Sequence, residues 1–313
     1  MNTIPNLISI SEQATLVSFR DVDPYLRTLS LGSELQKTLV PPLTHRGNRL
    51  EAHGQSIPKE ALGGDLVDLV ASGSDVIAYV ADVSGHGLRA GMLMGMIKTA
   101  VRYGLLLRQP MAKLLGDINR LLPAVKQPEM FATLAALRFD DSNEVEYVSA
   151  GHVPLLHYRR REQDVISYCT PQLPLGLFPG HGYTTERIRY HSGDVFALVT
   201  DGVVEVGEEL DASLGFERLT HLLRENAQHS LSYIVDMIHS EVSRKGIQHD
   251  DQTALLVRAT EDSGARRSEP SCDDQNETSE YREPFEAAWR KLLDDLAMEL
   301  ASEPSSAPPK KAT

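Results

Sequence analysis

The stretch VADVSGHGLRAGMLMGMIKTAVR, residues 80–102, carries the strongest structural signal in the chain. It begins inside an apolar, β-rich run, DVIAYVADV (75–83), which stops in a polar turn after Asp82. A glycine-containing turn then leads into an apolar stretch from 88 to 103. The first run predicts a strand and the second a helix, because the residue types and lengths match those two elements.

The helix predicted over 88–103 is apolar nearly all round, so we expect it to be buried. Gly91 and Gly95 lie about one turn apart and favour close packing on a neighbouring element. On this interpretation Met92, Met94 and Met96 pack in the core.

Working outward, the rest of the chain alternates strand-like and helix-like stretches. Strands are predicted at 131–139, 144–149, 153–158, 164–169, 184–190, 195–200 and 253–259, and helices at 111–122, 216–226 and 231–245. Leu31, Leu35 and Leu39 predict a short amphipathic helix that ends before Pro41-Pro42. Strands in runs with helices grouped between them indicate an α+β layered domain rather than strict βαβ alternation.

Composition divides the chain further. We predict an N-terminal segment with a short helix (1–45), a folded domain (46–260), a polar linker (261–281), an amphipathic helix (282–301) and a disordered tail (302–313). The amphipathic helix places six apolar residues on one face: Phe285, Trp289, Leu292, Leu293, Leu296 and Leu300. The simpler explanation for this apolar face is that the helix docks on the chain's own folded domain. The alternative, which we adopt as a hypothesis, is a separable element that binds a regulatory partner.

Charge and composition exclude several classes of protein. The chain has 313 residues and a formal net charge of −13, which argues against nucleic acid and anionic membrane surfaces as partners. No apolar run approaches the roughly 20 residues of a membrane span, and the N-terminus lacks signal-peptide features. Two distant cysteines form neither a disulfide framework nor a thiolate metal site, so we expect a cytoplasmic protein.

Aspartates at the ends of apolar strands are the candidate functional residues. Sequence signatures of phosphate-binding loops, dinucleotide folds, serine hydrolases and zinc proteases are absent. Instead, carboxylates follow or precede buried strands in four segments: Asp65, Asp82, Asp201 and the pair Asp250-Asp251. A carboxylate at a buried strand end is costly unless it is paired or bound to metal.

Two explanations for these aspartates remain open on the residues alone. Each could cap a helix or complete a turn. Alternatively, they converge and share cations, because several close carboxylates repel one another. Oxygen-only ligands select hard ions such as Mg²⁺ or Mn²⁺, and two such ions can activate a shared water for phosphoryl transfer.

Seven motifs together resemble the metal-dependent protein phosphatase family, the protein phosphatase 2C type, and specifically its bacterial SpoIIE-like branch. They occur in the family's order over about 210 residues. The motifs are ALGGDLVDLV (61–70), residues 80–102 as quoted above, MFATLAALRF (130–139), YVSAGHVPLLHYR (147–159), LPLGLF (173–178), SGDVFALVTDGVVE (192–205) and HDDQTALLVRA (249–259).

The resemblance implies a four-layer α/β/β/α sandwich of two antiparallel sheets flanked by helices. It also implies two Mn²⁺ or Mg²⁺ ions at one edge of the sandwich, whose ligands are Asp65, Asp82, the Val83 carbonyl, Asp201 and Asp250. Asp82 would bridge both ions, and Asp82 and Asp201 would be essential for catalysis. A shift of one residue, to Asp251, is left open for the fourth carboxylate.

Two histidines near the motifs have weaker implications. His86 lies two residues beyond the position at which eukaryotic members carry a histidine that can act as general acid. It is therefore a candidate for proton transfer or for ordering its loop. His152 is expected to be a structural turn residue. No arginine matches the eukaryotic phosphate-binding arginine.

The resemblance implies a bacterial serine/threonine protein phosphatase in signal transduction. Its substrate would be a phosphorylated anti-sigma-factor antagonist in a partner-switching cascade, dephosphorylated by attack of a metal-bridging water. The alternative is a catalytically silent module that binds such a partner. The complete set of aspartates favours the enzyme.

Overall fold

The computed structural model describes residues 24–205, 212–244 and 248–260. The predicted linker, C-terminal amphipathic helix and tail (261–313) lie outside the described residues, as do residues 1–23 of the N-terminal segment. The domain boundaries therefore stay predictions.

The chain forms eleven strands within the described residues. In chain order they are β1 Leu43–Arg46, β2 Leu50–Ile57, β3 Leu66–Ser72, β4 Asp75–Val83, β5 Ala132–Phe139, β6 Glu144–Ala150, β7 Leu155–Arg159, β8 Asp164–Tyr168, β9 Glu186–Arg189, β10 Val195–Val199 and β11 Gln252–Ala259. All strands predicted from the sequence are present, with ends shifted by up to two residues. The sequence analysis missed β1, β2 and β3.

Six α-helices flank these strands within the same residues. They are α1 Pro24–Leu39, α2 Gly87–Leu106, α3 Met111–Leu121, α4 Asp201–Val204, α5 Ala212–Asn226 and α6 Leu231–Ser243. None of the described helices combines the length and apolar character needed to cross a bilayer.

The strands form two antiparallel sheets. Sheet A has the order β1-β2-β11-β10-β7-β8, and sheet B the order β3-β4-β5-β6-β9. The sheets pack face to face, as the edge-to-face contact of Phe139 from sheet B with Phe196 from sheet A shows (ring centroids 5.7 Å apart). Helices α2 and α3 contact sheet B, and α5 and α6 contact sheet A. The predicted α+β class and four-layer sandwich are confirmed.

The prediction that α2 is buried all round was wrong. Its inner face packs in the core through Leu93, Met94, Ile97 and Val101, as expected for a helix on a sheet. Its outer face is apolar but exposed, between 44% and 78% at each of Leu88, Met92, Met96, Tyr103 and Leu106. Met94 is therefore a core residue, whereas Met92 and Met96 are not.

Helix α1 differs from expectation in a similar way. Leu31 and Leu35 are exposed, while Gln36 and Val40 on the adjacent face are buried. On the buried side the Gly63 N–H donates to Gln36 Oε1 at 3.1 Å, and Leu39 and Val40 pack on the core. This side of the helix therefore faces the domain.

Candidate metal centre

The two sheets bring the predicted aspartates to one end of the sandwich. Asp65 directly precedes β3 and Asp82 lies near the end of β4, and these strands are antiparallel neighbours paired Leu66 to Ala81. Asp201 follows β10 closely and begins α4, and Asp250 precedes β11, which is the antiparallel neighbour of β10. In each sheet, the end of one strand thus lies beside the beginning of its antiparallel neighbour.

Threonines of sheet A hold the Asp65 carboxylate of sheet B. Thr200 Oγ1 and Thr253 Oγ1 donate to Asp65 Oδ2 at 2.8 and 2.6 Å. The Thr253 N–H in turn donates to Thr200 Oγ1 at 3.1 Å. Both threonines are completely buried. The sequence analysis did not select them, although each lies within two residues of a predicted aspartate.

The carboxylates are close enough to repel one another. Burial, and then the charge of Asp251, raise the pKa of Asp65 well above its usual value. Burial, followed by the charges of Asp65, Asp201 and Asp250, does the same to the pKa of Asp82. The pKa of Asp201 is raised by burial and by Asp250. Such a cluster is stabilised by a cation, because a cation favours the charged form of every member.

Asp250 and Asp251 have different environments. Asp251 is buried, and its carboxylate accepts hydrogen bonds from the backbone N–H groups of Lys59 (2.7 Å), Gly64 (2.7 Å) and Asp65 (3.3 Å). Asp250 is exposed, and its Oδ1 accepts from the Asp251 N–H at 2.8 Å. The Asp251 carboxylate is thus committed to positioning the segment around Asp65. This supports Asp250 as the fourth candidate ligand.

Two glycines make this approach of segments sterically feasible. A Cβ at Gly64 would lie only 2.6 Å from the Val83 carbonyl oxygen, so only glycine lets these two segments approach this closely. A Cβ at Gly202 would overlap the backbone carbonyl of Asp251. The glycines therefore allow close contact between chain segments around the candidate centre.

His86 lies at the rim of this end of the sandwich. It precedes α2, is largely exposed, and places Nδ1 2.7 Å from Glu60 Oε1. This contact joins the loop after β4 to the loop before β3. It favours the loop-ordering interpretation of His86 over proton transfer.

His152 joins the two sheets behind the aspartates. Its Nδ1 lies 2.8 Å from Thr133 Oγ1 on β5, and its Nε2 lies 2.9 Å from the Val199 carbonyl oxygen on β10. Because a carbonyl can only accept, Nε2 carries the proton and Nδ1 accepts from the Thr133 hydroxyl. Thr133 is the register partner of Asp82. His152 is thus more than a turn residue, because it fixes the strands that lead to Asp82 and Asp201.

Burial lowers the pKa of His152 to about 4, so the ring is neutral at pH 7. The folded-state value is below the unfolded value of about 6.5, so the stabilising contribution is complete above pH 6.5 and is lost as pH falls through 4. We expect His152→Ala to be less stable than the wild type at pH 7.5. The difference should shrink by about 2 kcal/mol between pH 6.5 and pH 4, measured by urea unfolding.

The exposed His191 provides the matched control. His191→Ala removes an imidazole at the surface and should change stability little. A His152→Ala deficit that stays constant from pH 7.5 to pH 4 would contradict the buried, neutral imidazole.

The donor set fits a hard divalent cation. All candidate side-chain ligands are carboxylates, and no hydrogen-bond donor among the described residues pairs with the Asp82 carboxylate. Oxygen ligands of this kind suit Mg²⁺ and Mn²⁺. The carboxylates do not close around a single point, since no three His, Cys, Asp or Glu side chains of the described ranges form a ready single-ion site.

Comparisons with known proteins agree with this architecture. The family model described as Stage II sporulation protein E (SpoIIE) matches residues 72–260. The chain is 25% identical over 233 residues to the phosphoserine phosphatase RsbU of Bacillus subtilis (strain 168), covering 74% of this chain and 69% of RsbU.

Two solved structures share the fold. One contains the RsbU and RsbW domains of Rv1364c from Mycobacterium tuberculosis, with a TM-score of 0.60 and 24% identity; the match covers 71% of this chain and 62% of that one. The chain therefore spans less than two thirds of that structure. The other is RsbX in complex with magnesium, with a TM-score of 0.54 and 19% identity over 70% of this chain and 100% of RsbX.

Proposed function

Because the chain belongs to the SpoIIE family and is a phosphatase of the protein phosphatase 2C type, we propose that it hydrolyses phosphoserine or phosphothreonine on a partner protein. The observation that carries this proposal is the convergence of four aspartates from two sheets on one end of the sandwich. Their mutual repulsion and their oxygen-only chemistry suit phosphoryl transfer, which depends mainly on positioning and charge neutralisation.

The proposed ligands of two Mn²⁺ or Mg²⁺ ions are Asp65, Asp82, the Val83 carbonyl, Asp201 and Asp250. The magnesium in RsbX supports a divalent ion in this fold. Two such ions supply an activated water and neutralise charge on the phosphoryl group.

The chain itself supplies fixed geometry. Thr200 and Thr253 orient the Asp65 carboxylate, and Asp251 holds the segment that precedes it. His152 joins the beginning of β5 to the end of β10 across the two sheets. The folding free energy holds the like charges together before substrate binds, so little reorganisation is needed during the reaction.

The proposed substrate is a small phosphorylated protein of the anti-sigma-factor-antagonist type, in a cytoplasmic partner-switching cascade. The similarity to a named phosphoserine phosphatase, RsbU, supports a phosphoserine protein as substrate. The net charge of −13 argues against a nucleic acid as the partner.

We expect the purified chain to release phosphate from p-nitrophenyl phosphate and from a phosphoserine peptide when Mn²⁺ or Mg²⁺ is present. EDTA should abolish the activity, and re-addition of the ion should restore it, because the carboxylates need the cation. Full activity in EDTA after exhaustive dialysis would contradict the metal mechanism. A folded chain that is inactive with every divalent ion and both substrates would instead indicate a binding module.

A further inference from the structure

Helix α2 carries an exposed apolar stripe for which the described residues offer no covering element. The stripe consists of Leu88, Met92, Met96, Tyr103 and Leu106, each more than 40% exposed. At 100° per residue these five positions fall within an arc of about 80° and extend about 27 Å along the helix. Thr99 lies in the same arc between Met96 and Tyr103 and is exposed, so the stripe is apolar apart from one hydroxyl, which donates to the Gly95 carbonyl. An exposed, mainly apolar surface of this length indicates an interaction site.

Helix α1 borders the α2 stripe. A Cβ at Gly95, which lies within the stripe, would be 3.7 Å from Leu39 Cδ1 at the end of α1. Leu35 and Leu31 precede Leu39 by one and two turns on the same side of α1, and both are exposed. The end of α1 and the α2 stripe therefore offer apolar side chains from two helices to one occupant.

The sequence contains a segment whose pattern matches this surface. In residues 284–300, which lie outside the described residues, six apolar side chains from Phe285 to Leu300 fall within an arc of about 100° and about 22 Å of helix. An isolated helix of this length is marginal in water, so its apolar face needs a surface to bury it.

The segment can reach the stripe from where the domain ends. Strand β11 begins beside the aspartates and ends at Ala259, near the opposite end of the sandwich, where the Thr260 N–H donates to the Arg49 carbonyl. The last turn of α2 is also at that end, because Leu105 and Asp75, the first residue of β4, line one cavity.

The connecting length suits this path. Crossing sheet B and α2 from β11 requires about 20–25 Å at roughly 10 Å per layer. An irregular chain of the 23 residues between 260 and 284 would have a root-mean-square span of about 26 Å. A matched span gives millimolar effective concentrations, which favours docking within one chain.

Charge does not oppose this pairing. Helix α2 has three basic residues and no acidic one, but Lys98 and Arg102 are paired with Asp68 of β3, and Arg89 donates to Gln127. Residues 284–300 contain four acidic and two basic side chains, so the segment is net negative. The charges of α2 therefore do not repel the segment, and apolar burial is the main driving force for docking.

We propose that residues 284–300 dock in cis as an amphipathic helix on the α2 stripe, in place of the partner-binding hypothesis adopted from the sequence alone. The occupant is this segment of the same chain, and its apolar face covers Met92 and Met96 at the centre of the stripe. The proposal does not depend on phosphatase activity, and its test uses a different signal.

Trp289 is the only tryptophan of the chain and reports the docking directly. In the full chain its emission should be blue-shifted and protected from acrylamide, relative to a free peptide of residues 282–301. The double variant Met92→Glu/Met96→Glu should lower the docking equilibrium constant by about 10²-fold or more, because two apolar contacts are lost. Its Trp289 emission should approach that of the peptide.

A reciprocal variant and a control keep the test decisive. Leu293→Glu/Leu296→Glu should expose Trp289 in the same way while leaving the domain's melting curve intact. Tyr233→Glu, at an exposed position on α6, should leave the emission unchanged. Wild-type emission equal to that of the peptide would overturn the proposal, as would protection that survives the methionine changes. Protection that appears only at high protein concentration would overturn it too, since it would place the segment on a second copy.

Discussion

Asparagine at position 82 or 201 is expected to reduce phosphatase activity by at least about 10²-fold at saturating Mn²⁺. Each change keeps the size of the side chain and removes one of the negative charges that the site offers to a cation. Burial, and then the charges of the neighbouring carboxylates, raise the pKa of both groups, so losing one charge relieves repulsion in the metal-free protein. The melting temperature without metal should therefore not fall.

Turnover of a phosphoserine peptide, metal affinity by calorimetry and thermal melting together check this prediction. Asp141→Asn is the matched control, because it makes the same change at a side chain that is 80% exposed. It should behave as wild type. Near-wild-type turnover of Asp82→Asn or Asp201→Asn, with metal binding unchanged, would remove that residue from the proposed centre.

The adjacent residues Asp250 and Asp251 should give opposite phenotypes. Asp251→Ala leaves three backbone N–H groups without their acceptor, those of Lys59, Gly64 and Asp65. The N–H groups of Gly64 and Asp65 are buried, whereas Lys59 lies at the surface. Each buried unsatisfied donor costs about 1–3 kcal/mol. We expect a loss of about 3 kcal/mol or more in the free energy of unfolding, or about 6–12 °C in melting temperature for a domain of this size.

Asp250→Ala is the matched comparison, one residue away. Asp250 is exposed and accepts one local backbone hydrogen bond, so its stability cost should stay below about 1 kcal/mol. Its activity at limiting Mn²⁺ should fall strongly, because a proposed ligand is lost. A stable, inactive Asp251→Ala together with an active Asp250→Ala would move the fourth ligand to Asp251.

Elements with strong local signals were predictable from the sequence. Strand β4 was predicted over 75–83 and is observed over the same residues, because an apolar β-rich run ends there in a polar turn. Strand β2 was missed. Its sequence, LEAHGQSI, mixes polar residues with a glycine, and its place in the sheet comes from pairing with β11 about 200 residues later.

The orientation of α2 was not predictable for a different reason. A helix that is apolar on every side has no periodicity to show which face meets the sheet. The packing of Leu93, Met94 and Ile97 in the core determines which face of α2 meets the sheet, and the opposite face is exposed to solvent.

The aspartates could be selected from local motifs, but their supporting contacts could not. Thr253 and Asp65 are 188 residues apart in the chain, and Asp251 and Gly64 are 187 apart. Only the fold brings such pairs together, so a single sequence carries no sign of them. The ligand assignment itself rests on the resemblance and stays a proposal.

The position of β11 has a consequence for biosynthesis. This strand is the last in the described chain, yet it lies between β2 and β10 in the middle of sheet A. Until the ribosome has passed residue 260, sheet A consists of a β1–β2 hairpin and a separate β10–β7–β8 ribbon, each with an unpaired edge where β11 belongs. Prematurely terminated products that lack β11 should therefore be prone to aggregate and need chaperones. The aspartate centre can be completed only after synthesis of the whole domain.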